Sequence, residues 1–534
     1  MNKNALIILV FLASIFSYAC EDEQSKHFDR SQTLPENGED LLTLIKNNSD
    51  LSKFAKLIEI AGYEKLLSSS QTFTVWAPMN EGLQDIDPAT VDKVVAQQIV
   101  SNHIARFNNS TAIPSEKLIR MNNQKIHSYS ESGTHFGGSP LVSSNTLAGN
   151  GILHTISSRI PYHYNLYEYI LADENTSKLA DFIRSFEEEK FDEDLSIPID
   201  IDDQGRTVYD TITTSYNRLF DDPRYGLGYI GTEDSLYTMI IPTNQAWDEV
   251  YARISPYFKT YHDDQALADS IQNLQTSLAI LNDLIYREIV EAPAAYDSLL
   301  STSGSILRDP VALFSDTEKQ VASNGLIYKA NKLNYNNLET WNKYVSIESE
   351  YSDLRLPGVN TAVYVRTVDA NSIIPVSEMY YLEVWPTTPT AQPAVTFDIP
   401  NVISGKYDIY VEFLPAIIDE NPNPNDSTKL LFQLSYLGAD GKIKNSPVVN
   451  TADLVTSGTQ KVKMKVFSGF EFPVANFYDN LWIRDYMDGL HGLEDYVVET
   501  KLLVKTNVST PEFNQNRFTR VFRVDRIILE SIPN

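Results

Sequence analysis

Apolar positions fall into three regimes along the chain. Residues 5–16 form an almost unbroken apolar run. Across residues 41–67, Leu42, Ile45, Leu51, Phe54, Leu57 and Ile58 recur at helical spacing. That spacing predicts two short helices, with Ser49-Asp50 placed to cap the second. Thr72-Phe73-Thr74-Val75-Trp76-Ala77-Pro78 is β-branched and aromatic, which predicts a strand that Pro78 ends. Asn80 lies just past it, where its side chain can cap a turn. Residues 91–107 return to helical spacing. Asn150-Gly151 is a turn dipeptide that opens a closing strand, Ile152-Leu153-His154-Thr155-Ile156.

The same order then recurs, which predicts an internal repeat. An amphipathic helix, Leu179-Ala180-Asp181-Phe182-Ile183-Arg184-Ser185-Phe186, precedes the strand Leu236-Tyr237-Thr238-Met239-Ile240-Ile241-Pro242. Thr243-Asn244 follows Pro242 as Met79-Asn80 follows Pro78, and Ser323-Asn324-Gly325-Leu326-Ile327-Tyr328 echoes the closing strand. This copy carries an insertion at about 187–234. Inside it, Asp200-Ile201-Asp202-Asp203-Gln204-Gly205 opens like a calcium loop, but Thr211 stands at the twelfth position where a bidentate Glu is needed. The flanking Ile197, Ile199, Ile201 and Val208 favour a β-hairpin with an acidic turn.

From about residue 354 helical spacing gives way to short alternating strands separated by Pro, Gly and Asn. Segments 362–366, 380–385, 394–397, 407–413, 430–436, 461–466, 497–505 and 522–531 predict a two-sheet sandwich or jelly roll. Aromatics in strands are usually core. Those in the irregular stretch 467–496 are better placed for a ligand, because loops carry function. Phe472, Tyr478 and Trp482 are therefore the candidate ligand aromatics.

Two motifs in the first third carry a family resemblance. Thr74-Val75-Trp76-Ala77-Pro78-Met79-Asn80-Glu81 resembles the first signature of the fasciclin adhesion domain, roughly T-V-F-A-P-T-N. Asn150-Gly151-Ile152-Leu153-His154 resembles the second, N-G-V-I-H. The resemblance spans about 39–163 and implies an adhesion-type module. Asn102-His103 stands where the family often has Tyr-His. The repeat is similar: Pro242, Thr243 and Asn244 match the first motif, Asn324 and Gly325 the second, and Tyr328 replaces the usual His. Gly405-Lys406-Tyr407-Asp408-Ile409-Tyr410-Val411 and Arg523-Val524-Asp525-Arg526-Ile527-Ile528-Leu529 resemble strands of galactose-binding-like jelly rolls, a fold found in many carbohydrate-binding modules.

The first apolar run now gains a meaning. Met1-Asn2-Lys3-Asn4 gives it a basic start, and Ser17-Tyr18-Ala19 precedes Cys20, the single cysteine of the chain. That layout is a secretory signal ending where bacterial lipoproteins are cut and acylated. The run falls short of the roughly 20 apolar residues a membrane span needs. Glu21-Asp22-Glu23 resembles an acidic signal that sends lipoproteins to the outer face of the outer membrane, and residues 24–39 read as a tether. The expected location is the outer membrane, lipid-anchored and facing the exterior.

Composition narrows the partners. The 534 residues suit about three domains at roughly 150 residues each. Hydrophobic residues at 42% are enough for several cores and too many for disorder. With one cysteine those cores hold by packing, without an internal disulfide. A net charge of -28 argues against nucleic acid and anionic membrane as partners. No metalloprotease, nucleophile-elbow, phosphate-loop or dinucleotide motif is present. His103, His154 and the other histidines show no ligand spacing on one helix, so no cofactor, metal or catalytic residue is expected.

The expected organisation is multidomain α+β. It comprises a signal peptide (1–19), a lipidated tether (20–38), two fasciclin-like modules (39–165 and 166–345) and an all-β sandwich (350–534). The expected function is non-enzymatic binding at the envelope, by adhesion to a matrix or host component. The alternatives are a glycan-binding accessory of a polysaccharide-uptake system, with the sandwich carrying the site, and a structural spacer in an outer-membrane complex.

Overall fold

The structure, a computed structural model, describes residues 38–112, 117–191, 197–201, 207–210, 213–224, 226–368, 372–418, 426–476 and 498–532. Cys20, Glu21, Asp22, Glu23, Tyr478 and Trp482 lie outside the described residues. Among the described residues no helix is long and apolar enough to cross a membrane. The chain divides into two compact units. Of the described residues, the first holds those up to 165 with 231–234 and 321–324; the second holds those within 166–230, within 235–320 and from 325 onward.

In the first unit, helices α1 (Leu41–Asn47), α2 (Ser52–Ala61) and α3 (Lys93–Ser101) cover one face of a mixed sheet. Asp40 caps α1 by accepting from the Thr43 amide. Asn48, one residue ahead of the expected Ser49-Asp50, caps the turn leading into α2, and Gly62 ends α2 in the left-handed conformation at φ 81°. Strands β1 (Phe73–Pro78), β2 (Ile104–Arg106), β3 (Ser139–Ala148) and β4 (Gly151–Ile156) lie in the order β2-β1-β4-β3. The pair β1 and β4 is parallel, with Val75 opposite Leu153 and Trp76 opposite His154. Parallel strands are buried on both faces. Phe73, Val75 and Ala77 meet Leu41, Phe54, Leu57 and Ile58 under the helices, while Trp76 packs with Tyr129 and Phe136 on the other face. Each such side chain contributes roughly 1.5–3 kcal/mol of burial.

The second unit repeats the plan and adds to it. Its helices are α4 (Ser177–Arg184), α5 (Asn244–Ile254) and α6 (Gln265–Leu281). Its strands are β5 (Tyr237–Pro242), β6 (Ile285–Tyr286), β7 (Ser298–Leu300), β8 (Ile306–Arg308), β9 (Thr317–Ala322) and β10 (Gly325–Ala330). The sheet order is β6-β5-β10-β9, again with a parallel centre: Ile240 faces Tyr328. β7 and β8 form a separate hairpin. In the insertion, Ile197–Ile201 pairs antiparallel with Thr207–Asp210, as a hairpin requires; its turn lies outside the described residues.

The rest of the second unit is a β-sandwich. One sheet holds β11 (Val345–Glu348), β12 (Thr361–Thr367), β13 (Tyr380–Pro386), β14 (Gly405–Phe413), β15 (Val462–Phe472) and β16 (Phe522–Ile532). Its order is β12-β13-β16-β14-β15, with β11 also paired to β16. The other sheet contains Arg355–Pro357, Ala394–Asp398, Lys501–Thr506, Leu430–Leu437 and Ile443–Asn445 in that spatial order. Alternate residues point inward, so Ile409, Val411 and Phe413 are fully buried, as are Phe397, Phe432 and Val504.

Candidate functional site

The signature residues of the first unit build the module from inside. Thr74 Oγ1 donates to the Phe107 carbonyl (2.7 Å) and accepts from the Asn109 amide (2.8 Å). Asn80 ties the end of β1 to the start of α2: Oδ1 accepts from the Lys53 amide (2.9 Å), and Nδ2 donates to Ser49 O (2.9 Å) and Ser52 Oγ (3.0 Å). Asn150 Oδ1 accepts from the Leu41 amide (2.8 Å), while Nδ2 reaches Leu67 O (2.8 Å) and Ser69 O (2.9 Å). A Cβ on Gly151 would lie 1.9 Å from the Phe73 carbonyl oxygen, so only glycine fits there. Val75, Ala77 and Pro78 are strand core.

The histidines are also internal. His154 stacks on Trp76 with ring centroids 5.5 Å apart and reaches the Asn109 carbonyl through Nε2 (3.0 Å). His103 is fully buried, with Nδ1 2.6 Å from Ile99 O and Nε2 accepting from the Ile160 amide (2.9 Å). His127 Nε2 lies 3.0 Å from Asn102 Oδ1. Burial pushes all three down to about 4, so they are neutral at pH 7. Among the described residues no cluster of His, Cys, Asp or Glu is arranged to hold a metal ion.

The second copy reproduces this framework atom for atom at several points. Asn244 Oδ1 accepts from the Lys178 amide (2.9 Å), and Nδ2 donates to Glu174 O and Ser177 Oγ (both 3.0 Å). Thr238 bridges Glu288 O (2.7 Å) and the Val290 amide (2.9 Å) as Thr74 does. A Cβ on Gly325 would lie 1.8 Å from Tyr237 O. Tyr328 replaces the histidine chemically as well as positionally: its hydroxyl donates to the Val290 carbonyl at 2.6 Å. Thr243 caps α5, Pro242 ends β5, and buried Asn324 donates to Thr232 O (2.9 Å).

The sandwich corrects one ligand candidate. β15 continues through Phe472, which turns inward to 2% exposure against Tyr407 (5.6 Å between centroids) and Phe470 (5.0 Å). It is a core side chain and offers no face to a sugar.

The cleft suited to a ligand has about 700 Å³ and lies wholly in the second unit. One wall is the C-terminal end of α6 with Asp283; another is the serine-rich β7–β8 turn at 301–305. Segment 340–347 and the sandwich residues Asn401, Ile403 and Tyr407 complete it. Two backbone bonds join module to sandwich beside it: Ser404 N to Tyr257 O and Ala475 N to Lys259 O, both 2.7 Å. Trp341 is held edge-on by Tyr257, with centroids 4.9 Å apart. Three buried polar atoms of the lining have no hydrogen-bond partner in the protein: Trp341 Nε1, Thr302 Oγ1 and Asn401 Oδ1. Asp283, by contrast, is engaged, because Oδ1 accepts from Ser301 (2.9 Å) and Ser303 (2.6 Å). Sequence reasoning missed these residues. The hydroxyl run Ser301-Thr302-Ser303-Gly304-Ser305 was the only local signal, since the remaining walls come from distant segments.

Residues 49–160 match the Fasciclin domain family. No curated protein matches the chain. Among solved structures, the FAS1 domain pair of the insect cell adhesion molecule Fasciclin I is 13% identical. That match covers 55% of this chain and 99% of that one, with a TM-score of 0.21. A family 22 carbohydrate-binding module of a Clostridium thermocellum protein is 10% identical over 34% of this chain and 88% of that one (TM-score 0.20). SGBP-B from a complex xyloglucan utilization locus in Bacteroides uniformis is 9% identical over 40% and 54% (TM-score 0.16).

Proposed function

We propose that this chain is a non-enzymatic binding protein of the outer membrane, anchored by a lipid on Cys20, that captures an extracellular glycan. The observation that carries the reading is the cleft of about 700 Å³, within the range of small-ligand sites, with buried polar atoms left unpaired along its walls. Residues 166–345 are read as a second fasciclin-like domain, on the strength of the repeated Asn244, Thr238 and Gly325 geometry. Export rests on the apolar run before Cys20 and the acidic Glu21-Asp22-Glu23 behind it.

Adhesion to a matrix or host protein is the second reading. The fasciclin match favours it, as do the apolar side chains that the first unit leaves exposed: Val94 at 59%, Phe107 at 74% and Leu118 at 67%. Most signature residues face inward, and the half-buried Asn80 and Asn244 are engaged within their own modules.

The two readings separate on one pair of arrays. The chain from residue 21 onward, produced without lipid, is applied to glycans and to matrix proteins. Glycan capture predicts selective glycan signals and silence on matrix proteins; the reverse pattern favours adhesion, and silence on both contradicts the proposal. Anchoring is tested separately in cells by palmitate labelling, which Cys20→Ser should abolish while releasing the protein from the membrane.

A further inference from the structure

Resting on the glycan-capture reading, we infer that the cleft between the second module and the sandwich binds a neutral saccharide chain, read by Trp341, Thr302 and Asn401. The three side chains define what the ligand must offer. An indole N–H only donates, a carboxamide oxygen only accepts, and a threonine hydroxyl does both. Each is buried without a partner in the protein, and Trp341 is only 8% exposed. Burying such groups without partners is unfavourable, so a ligand that pairs them gains affinity. A molecule carrying many groups that both donate and accept satisfies all three, and a run of sugar hydroxyls is such a molecule.

Other ligand classes fit less well. An apolar ligand leaves all three groups unpaired. An anion finds Arg224 and Lys343 at the rim, but also faces the Asn401 oxygen, the Asp283 carboxylate and a chain of net charge -28. A cation meets the same two basic residues. Ser303 and Ser305 of the serine-rich turn are already engaged by Asp283 and Lys343 and stiffen that wall, while Leu278 and Ile403 supply apolar wall for the C–H faces of a sugar ring. Because the walls come from both the module and the sandwich, bound saccharide bridges the two and stabilises the whole second unit.

The probe is a panel of neutral gluco-, xylo-, manno- and galacto-oligosaccharides of two to six units, with oligogalacturonides and sulfated oligosaccharides as charged controls. Binding to the chain from residue 21 onward is measured by titration calorimetry. Trp341→Phe keeps the ring and removes the N–H; Thr302→Val and Asn401→Ala remove the other two groups. Trp385→Ala, an exposed side chain of β13 away from the cleft lining, is the comparison. Circular dichroism confirms that each variant folds, and any one folded cleft variant suffices.

The expected result is neutral-saccharide binding weakened about tenfold by each cleft variant and unchanged in Trp385→Ala. Neutral binding that survives the cleft variants overturns the site and leaves glycan capture standing. Preference for the charged oligosaccharides overturns the ligand class. No binding to any member of the panel overturns both the site and the reading beneath it.

Discussion

The two modules share one polar framework and put it to different use. In the first, Asn80 and Asn150 tie strand to helix, Thr74 holds the 107–109 segment, and His154 reaches the Asn109 carbonyl from the core. In the second, Asn244 and Thr238 make the same bonds, and Tyr328 reaches the corresponding Val290 carbonyl. The framework tolerates His or Tyr at that point because it needs a donor that reaches the carbonyl, not one residue type. The difference is that the second module packs on a sandwich and encloses a cleft with unpaired polar atoms. Signature residues thus report how the module stands up, while the proposed ligand site lies where the repeat is joined to something else.

The sharpest way to break that comparison is at the glycines. Gly151→Ala and Gly325→Ala each drive a methyl into the carbonyl of the neighbouring strand. Each should destabilise its own unit by about 4 kcal/mol or more, seen as lost soluble yield or a collapsed urea transition. Gly62→Ala, at φ 81° with open space around it, should cost only about 1–2 kcal/mol. Equal tolerance at all three sites would dissolve the shared framework.

Acid separates the units next. His103, His127 and His154 have folded values near 4, below the ordinary 6.5, because burial disfavours the charged ring. Above pH 6.5 both folded and unfolded forms are neutral. As pH falls from 6.5 to 4 the unfolded chain takes up protons that the folded unit refuses. The first unit therefore loses about 1.4 kcal/mol per pH unit per histidine. Burial instead raises Glu348, Glu350 and Asp525 in the second unit, so protonating them relieves that unit. Calorimetric scans from pH 7 to 4.5 should show the first unit melting earlier as the second holds; parallel shifts would refute the assignment.

Smaller effects test equivalence residue by residue. Asn80→Ala and Asn244→Ala each remove three hydrogen bonds and should cost similar amounts, about 2–3 kcal/mol by denaturant titration. Tyr328→Phe orphans the buried Val290 carbonyl, and His154→Phe strands the Asn145 amide while Tyr129 still serves the Asn109 carbonyl; each should cost about 1–2 kcal/mol. A large loss in one module with none in the other would show that the framework is not shared.

Much of the fold was legible because its signals are local. Period 3.6 marked α2 and α4, Pro78 and Pro242 ended their strands, and Asn150-Gly151 placed the closing turn. The cap shifted to Asn48 because a side chain two residues ahead of Asp50 has the reach to accept from its amide. Phe472 was misjudged for a non-local reason: the stretch that reads as irregular remains paired to β14, which turns the ring into the core. The cleft left almost no trace in sequence. Its walls are drawn from segments between 224 and 407, and nothing in the spacing of Thr302, Trp341 and Asn401 brings them together.

Hydrogen exchange of the chain from residue 21 onward, with and without a saturating neutral oligosaccharide, tests the central claim most directly. Protection is expected at 301–305, 340–347 and 401–407, with the first unit unchanged. Protection confined to the first unit, or to the exposed strand β12, would contradict a ligand site in the cleft.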